Sequence, residues 1–385
     1  MTDSCVHHSN WHHHANQINP NNLAYIQFML RTSWTLSWFI TIAIFGRFLV
    51  LGGVGLQEGH DALRNFETDL DSSMKWLLSH DNNNNDNPAD FVLLQHIAHG
   101  HLIMARRMLS FGDNSLLVPA ESVLKLSVSY FERAHVAHKT IQSQYNEFAR
   151  QAPWITRQWG DALNYLNRTA EATSIFRHMV DLGYWKSTIC RPTNVGANLS
   201  TISAGTYFID EPSLRLESPS FVVLERKFSN RTFLNLIKHE LSINGNWKNI
   251  ANGLTSPNDW LQLPLIINNQ PTSQCDGNSS TICEFLLSSD IRFSIFGQTK
   301  FSVMTSPNTT IRPHAGPTNE RLRVHCTIAN PNPNISHIFV GTESRQWHEG
   351  SCFAFDESCE HSVQIGAIES PRVVLIVDIV NPYIL

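Results

Sequence analysis

Two arginines and a histidine occupy alternate positions of the segment RLRVHCTIA near the C-terminus. Because successive side chains of a β-strand point to opposite faces, Arg321, Arg323 and His325 are predicted to share one face, opposite an apolar face. A strand face with three such groups must either contact water or bind an anion. The segment is therefore a candidate anion-binding strand.

Two further histidines and an arginine flank this strand in the sequence. His314 precedes it in RPHAGPTNE, His361 follows it in FDESCEHSVQ, and Arg372 begins the apolar segment RVVLIVDIV. Imidazole is a good ligand for iron, and a guanidinium offers paired donors to a carboxylate. A His, a distant second His and an Arg on the next strand form the order in which a double-stranded β-helix binds iron(II) and 2-oxoglutarate. Taken singly, each of these residues would more often be structural or solvated.

Four blocks of the C-terminal part resemble successive blocks of the aspartyl/asparaginyl β-hydroxylase family: KFSVM, RPHAGPTNERLRVH, SRQWHEGSCFAFDESCEH and PRVVLIVDIVNP. The similarity extends back to Asn258. The resemblance implies a dioxygenase that uses Fe(2+), molecular oxygen and the cosubstrate 2-oxoglutarate. Such an enzyme would hydroxylate the β-carbon of Asp or Asn residues in a lumenal or secreted polypeptide, releasing succinate and carbon dioxide.

The resemblance also implies a catalytic metal site made of His314 and His361. In many related enzymes an acidic residue lies two positions after the first histidine, but Gly316 is found there in this chain, as in the family it resembles. Water would then take the position that a carboxylate normally fills.

Further roles follow from the same resemblance. Ser302 and Arg372 would hold the distal carboxylate of 2-oxoglutarate, and Arg321 would be directed at the substrate. The complete set predicted to bind the cosubstrate is Trp260, Ser302, Arg323, His325 and Arg372.

The segment NIANGLTSPND departs from the family pattern, because it lacks the acidic and arginine pair with which the animal enzymes grip a protein substrate. Two alternatives therefore stay open. The same chemistry could act on a lipid or small molecule, or the chain could be a catalytically silent helical-repeat binding protein that keeps the sheet as a scaffold.

The composition narrows the possible classes of protein. A chain of 385 residues with 42% hydrophobic and 16% charged residues can bury a large core, and its length predicts two folded units. The formal net charge of -5 provides no basic surface for phosphate backbones, so nucleic acid is excluded as an expected partner.

Seven cysteines occur without a CxxC pair, which disfavours zinc. The polar loop between Cys275 and Cys283 is short enough for a disulfide if the compartment is oxidising. Asn-x-Ser/Thr sequons, the acceptor motif of glycoproteins, also favour a lumenal location. They begin at Asn167, Asn198, Asn230, Asn278, Asn308 and Asn334.

The N-terminal part contains two segments of unusual composition. Residues 1–31 are rich in His and Asn and are predicted to be a disordered tail. Residues 32–56 carry Arg47 as their one charge and are predicted to be a transmembrane signal anchor, the alternative being a buried amphipathic helix. We therefore expect a membrane protein of the endoplasmic reticulum with a lumenal catalytic domain.

The remaining pattern predicts an α+β multidomain protein. Residues 57–185 are predicted to form a helical domain that resembles tetratricopeptide repeats (TPR), with Gly160, Ala172 and Phe176 as packing residues. Residues 186–385 are predicted to form a double-stranded β-helix (jelly-roll) catalytic domain. Its first part, 186–220, should be irregular, one helix should follow Ser220, and strands should begin at Ile291.

Overall fold

The computed structural model describes residues 88–110, 117–142, 152–193, 207–209, 211–243, 247–249, 254–256, 258–275, 281–295 and 297–384. The predicted N-terminal tail, the predicted signal anchor and two sequons, at Asn198 and Asn278, lie outside these residues. Within the ranges described, no helix combines the length and the apolar character needed to cross a membrane.

Two compact units divide the chain, one containing residues 1–101 and 127–148 and the other residues 102–126 and 149–385. In the first unit, the Ser127 hydroxyl donates a hydrogen bond to the Ala98 carbonyl at 2.7 Å, and His101 packs against Tyr130. The second unit contains all the strands found in the described ranges. It also contains residues 149–185, which the sequence pattern placed with the helical domain.

Eight α-helices occur in the described part of the chain: α1 Pro88–Ser110, α2 Leu117–Gln142, α3 Ala152–Tyr165, α4 Thr169–Asp181, α5 Glu211–Glu217, α6 Pro219–Phe228, α7 Arg231–Ile243 and α8 Thr281–Ser288. Several of them differ from the prediction. The single helix expected after Ser220 is broken into α6 and α7, because the Asn230 side chain caps a new helix by accepting from the Phe233 backbone N–H. Helix α5 lies in the region predicted to be irregular.

Helices α3 and α4 form a hairpin around Gly160. A Cβ atom on Gly160 would lie 2.0 Å from the Phe176 ring, so only glycine permits this close packing. Ala172 is also buried. The predicted packing residues thus meet within one hairpin, whereas a tetratricopeptide repeat array is not confirmed.

Strands form two antiparallel sheets, so the α+β class is confirmed. The strands are β1 Lys248–Asn249, β2 Trp260–Ile267, β3 Gln270–Pro271, β4 Gln298–Met304, β5 Thr310–His314, β6 Arg321–Ala329, β7 Ser336–Val340, β8 Glu343–Gln346, β9 Cys352–Asp356, β10 His361–Ile365 and β11 Arg372–Val380. The large sheet has the order β1-β2-β4-β11-β6-β9, with β3 beside β2, and the small sheet has the order β5-β10-β7-β8.

The alternation of side chains gives the large sheet two different faces. On one face, Leu322, Val324 and Leu375 belong to a core that includes Phe221 and Leu224 of α6. On the other face, the apolar residues join those of the small sheet in a second core, which contains Trp260, Met304, Val374, Ile376, Ile338, Val340 and Val363. Each well-buried side chain of this kind stabilises the fold by about 1.5–3 kcal/mol. The predicted cationic face of β6 is the one that belongs to this second side.

Three disulfides are present in the second unit. The predicted pair Cys275–Cys283 is one of them. Cys326–Cys352 joins the neighbouring strands β6 and β9, and Cys190–Cys359 joins positions separated by 169 residues.

Candidate functional site

His314 and His361 lie side by side on adjacent strands of the small sheet. His314 ends β5 and His361 begins β10, and the two are direct cross-strand partners. Their ring centroids are 4.2 Å apart, with an angle of 51° between the ring planes. The sequence-predicted pair is therefore brought together by the strand register.

The backbone fixes the tautomer of both rings. The Nδ1 atom of His314 lies 2.9 Å from the Arg312 carbonyl, and that of His361 lies 2.9 Å from the Cys359 carbonyl. Because a carbonyl oxygen can only accept, each Nδ1 must carry the proton, and each Nε2 keeps a lone pair. This is the form in which an imidazole binds a metal ion through Nε2.

Burial keeps both imidazoles uncharged at neutral pH. It lowers the pKa of His314 to about 4, although the hydrogen bond to the Arg312 carbonyl raises that pKa. Burial also lowers the pKa of His361 well below its usual range, and His314 lowers it further. A neutral ring requires no loss of a proton before it binds a metal ion.

A side chain at position 316, where many related enzymes have an acidic ligand, would collide with Glu357 as it is placed. A Cβ atom on Gly316 would lie 2.4 Å from both Cγ and Cδ of Glu357. In the described ranges, no three side chains among His, Cys, Asp and Glu form a group that could hold a metal ion. Among the described residues, the candidate donors are therefore the two histidines, and their role as metal ligands stays a prediction.

Arg372 is a buried cation without a carboxylate partner in the described part of the chain. Burial lowers its pKa to about 9. Its guanidinium lies 4.3 Å from the centroid of the Trp347 ring, and its Nη2 is 3.5 Å from the Ser302 hydroxyl. Ser302 in turn accepts a hydrogen bond of 2.9 Å from the Trp260 indole. Trp260, Ser302 and Arg372, all predicted from the sequence, thus form one cluster, and no carboxylate of the described residues pairs with its guanidinium.

His325 contributes a second unsatisfied group. The Trp347 indole N–H donates to its Nδ1 at 3.3 Å, so the proton of the neutral ring lies on Nε2. Burial lowers the pKa of His325 well below its usual value, which keeps the ring neutral. Its Nε2 is buried and has no hydrogen-bond partner among the described residues. A buried donor of this kind requires an acceptor, and a carboxylate would provide one.

Arg321 and Arg323 are balanced by two buried acids. Arg323 donates to Asp378 at 2.8 and 2.9 Å and pairs with Glu357 at 2.5 Å, while Arg321 pairs with Glu357 at 2.6 Å. Although burial opposes it, the two carboxylates raise the pKa of Arg323. Charge at this end of the strand is therefore compensated, unlike the charge of Arg372.

The sequence comparisons identify the region that carries these groups. Residues 233–382 match the sequence profile of the family described as Aspartyl/Asparaginyl beta-hydroxylase. The "Aspartyl/asparaginyl beta-hydroxylase" of Mus musculus is 35% identical over 130 residues, which are 34% of this chain and 17% of the mouse protein. The region from 233 to 382 is therefore similar to the aspartyl/asparaginyl β-hydroxylase family.

Other known proteins resemble the chain over a limited part. The "Aspartate beta-hydroxylase domain-containing protein 2" of Xenopus tropicalis is 31% identical over 167 residues, 42% of this chain and 40% of the frog protein. The chain thus spans less than half the length of these curated relatives. A solved oxidoreductase of the 2OG-Fe(II) oxygenase family from Burkholderia pseudomallei is 13% identical with a TM-score of 0.29, covering 44% of this chain and 88% of that structure. This structural likeness is too low to support a conclusion.

Several residues of the hydroxylase-family region were not singled out from the sequence. Trp347 and Glu357 lie inside the matching block SRQWHEGSCFAFDESCEH, and Asp378 is a lone acid in an apolar strand, which is itself a signal of a buried ion pair. Arg157 precedes the region and had no such signal. It lies on α3 and donates to the carbonyls of Ala315 and Gly316, directly after His314.

Proposed function

We propose that this protein is an iron(II)- and 2-oxoglutarate-dependent dioxygenase. One observation carries the proposal: the pair of neutral imidazoles and a buried arginine that has no carboxylate partner among the described residues both adjoin the second core, His361 against Phe355 and Arg372 against Trp347. Metal-ligating histidines and an anion-binding arginine are the two elements that this chemistry requires. We assign the pair of antiparallel sheets to the double-stranded β-helix fold on which such sites occur.

His314 and His361 would hold the iron through their Nε2 atoms. When bound, the iron supplies the oxidative chemistry that couples decarboxylation of 2-oxoglutarate, to succinate and carbon dioxide, with transfer of an oxygen atom from O2 to a C–H bond. The protein contributes orientation. The carbonyls of Arg312 and Cys359 hold the rings.

The Arg372 cluster would bind the distal carboxylate of 2-oxoglutarate. Arg372 offers a delocalised charge in a buried site, where an ion pair is stronger than in water, and the Ser302 hydroxyl offers a further contact. The Nε2–H of His325 is the expected donor to the other end of the cosubstrate. Arg323 would assist there, with donors left after its three contacts with Asp378 and Glu357.

The proposed substrate is an Asp or Asn residue of a polypeptide, hydroxylated at the β-carbon. The names of the relatives support this class. Arg321, the residue expected to face the substrate, is paired with Glu357, so a substrate carboxylate would have to compete with that side chain. Peptides containing Asp or Asn should gain one oxygen atom by mass spectrometry. If instead only a lipid or small molecule is oxidised, the polypeptide assignment is wrong.

A lumenal site, with the chain held at the endoplasmic reticulum membrane by the N-terminal anchor, is the proposed location. Three disulfides support an oxidising compartment. Four sequon asparagines, Asn167, Asn230, Asn308 and Asn334, are exposed and therefore accessible to glycosylation. Loss of apparent mass on treatment with an N-glycosidase would support this location.

Calorimetric titration of 2-oxoglutarate into the full chain loaded with Mn2+ tests the cosubstrate assignment. Arg372→Met keeps the length of the side chain and removes its charge, so we expect binding to weaken on the order of 100-fold. Arg292→Met, at an exposed position, is the matched control and should bind as the parent does. Equal binding by parent and Arg372→Met would contradict the proposal.

A further inference from the structure

Residues 187–193, here called the joining segment, pair with the turn that precedes His361. The Arg191 backbone N–H donates to the Ser358 carbonyl at 2.8 Å, and the Glu360 N–H donates to the Ile189 carbonyl at 2.9 Å. Backbone hydrogen bonds on both sides of the turn restrict its movement. The segment therefore acts as a short strand that holds this turn.

The Cys190–Cys359 disulfide lies between these two hydrogen bonds. Cys359 is fully buried, and its carbonyl accepts the hydrogen bond from the Nδ1–H of His361. The residue that orients a predicted metal ligand is thus covalently tied to the joining segment. A change of a few tenths of an ångström at such a carbonyl would turn the imidazole and its Nε2.

Arg191 adds a second connection to the same turn. Its guanidinium is 2% exposed and pairs with Glu360 at 2.8 Å. It also donates to the Thr188 carbonyl at 2.6 Å and lies 4.2 Å from the centroid of the Phe176 ring on α4. Because the Arg191 charge is buried, breaking this pair costs more than breaking a surface ion pair.

The end of the joining segment contacts the loop that follows the other histidine. The backbone N–H and the hydroxyl of Thr193 both donate to the Pro317 carbonyl, at 2.9 and 2.8 Å. His314 lies three positions before Pro317. One segment of seven residues, 187–193, thus contacts the chain next to both histidines.

We propose that the joining segment is a positioning element of the histidine pair and that the Cys190–Cys359 disulfide sets the orientation of His361. The proposal rests on the proposed function, because it concerns the geometry of that metal site. The competing explanation is that this disulfide only stabilises the fold. The two explanations differ in whether metal affinity changes in a protein that remains folded.

The test is a titration of the full chain with Mn2+ alone. Binding is measured from the decrease of the electron paramagnetic resonance signal of free Mn2+. The variant Cys190→Ala/Cys359→Ala should raise the dissociation constant for Mn2+ about tenfold or more, the range found when groups that orient a ligand are removed. The matched control is Cys275→Ala/Cys283→Ala, whose disulfide lies in the core on the opposite face of the large sheet. The control should stay within about twofold of the parent.

Measurements are made well below the thermal midpoint of each variant, so that global unfolding does not contribute. An unchanged dissociation constant in the folded Cys190/Cys359 variant would overturn the proposal. If that variant does not fold, Glu360→Gln is used, because it weakens the ion pair with Arg191 while the disulfide stays intact. It should raise the dissociation constant for Mn2+ about threefold. Its control is Glu349→Gln, in the surface pair with Lys238, which should leave that constant unchanged. No change in Glu360→Gln would overturn the proposal, and a parent that binds no Mn2+ would overturn the iron assignment itself.

Discussion

The side chains of the site are oriented by neutral partners rather than by acids. Carbonyl groups hold the Nδ1 atoms of His314 and His361, and an indole holds His325. The nearby acids, Glu357 and Asp378, are instead used by the arginines of β6. A bound metal ion would thus depend on the anionic cosubstrate for charge compensation, because the neutral imidazoles supply none.

Asp356 is a buried acid whose ionisation opposes folding. Burial raises its pKa from 3.8 to about 6, although the Ser358 N–H donates to its Oδ1. Because the folded-state pKa is above the unfolded-state value, this group stabilises the fold fully below about pH 4, and the contribution is lost as the pH rises through 6. Above that pH the carboxyl is ionised in both the folded and the unfolded state, so its contribution to the free energy of unfolding no longer changes with pH.

Asp356→Asn should therefore remove this pH dependence, since the amide oxygen can still accept from Ser358. At pH 7 the variant should be more stable by about 1 kcal/mol, less than the roughly 3 kcal/mol that the full pKa shift represents. Urea unfolding at pH 4.5 and pH 7 measures the effect, with the exposed Asp290→Asn as control. A variant less stable than the parent at pH 7 would show that the Asp356 carboxylate is needed in its charged form.

At the scale of the residue, the alternation in RLRVHCTIA was sufficient to predict which side chains share a face. It was not sufficient to predict their partners. Glu357 and Asp378 reach Arg321 and Arg323 through pairing of β6 with β9 and β11, and the register of such non-local pairs is not encoded in the local pattern. The roles of Arg321 and Arg323 therefore stay predictions.

The helices next to the sheets hold loops of the site in place. Arg157 of α3 is buried, and burial lowers its pKa to about 10. Its guanidinium donates to the carbonyls of Ala315 and Gly316, which would otherwise be two buried acceptors without a donor. This helix thus acts on the loop that follows His314.

Arg157→Met should lower the free energy of unfolding by about 2–3 kcal/mol, because it leaves buried acceptors unpaired. Methionine has nearly the helix propensity of arginine, so the helix itself should be unaffected. Urea unfolding measures the change, and Arg177→Met on the exposed face of α4 is the control. A loss within about 0.5 kcal/mol, the usual range for surface changes, would mean that the Arg157 contacts are dispensable.

At the scale of the element, the strands from Ile291 onward were predictable from periodicity, although β1, β2 and β3 lie before that predicted start. The break between α6 and α7 was not, because the apolar residues on both sides of it continue one helical pattern. A single capping contact, Asn230 to Phe233, decides the break. Such local hydrogen bonds compete with continuation of the helix, and the presence of an Asn in the sequence does not show that one will form.

At the scale of the whole molecule, the unit that contains the sheets extends upstream of the family match. Helices α3 and α4 belong to it, and the Phe176 ring covers the buried Arg191. The Cys190–Cys359 disulfide was not predicted, because cysteine spacing does not determine connectivity over 169 residues. Cys275–Cys283 was predictable because its loop is short.

A chain of residues 186–385 should consequently be less stable than one of residues 149–385. The shorter chain lacks Arg157 and Phe176, so that buried carbonyls and the Arg191 guanidinium lose their contacts. A loss of about 3 kcal/mol would lower the midpoint of thermal unfolding by about 10 °C for a protein of this size. Calorimetry of the two chains measures it, and equal midpoints would show that α3 and α4 are an independent unit.

Succinate release tests the iron and 2-oxoglutarate assignment most directly. The full chain is loaded with Fe2+ without oxygen and then given 2-oxoglutarate and O2. The variants His314→Ala and His361→Ala are tested beside the control His337→Ala, a histidine of β7 whose Nε2 lies 2.9 Å from the Asn334 carbonyl. We expect turnover in the parent and the control, and a loss on the order of 100-fold or more in both site variants. Absence of turnover and of iron-dependent 2-oxoglutarate binding in the parent, or turnover that survives both site substitutions, would contradict the assignment.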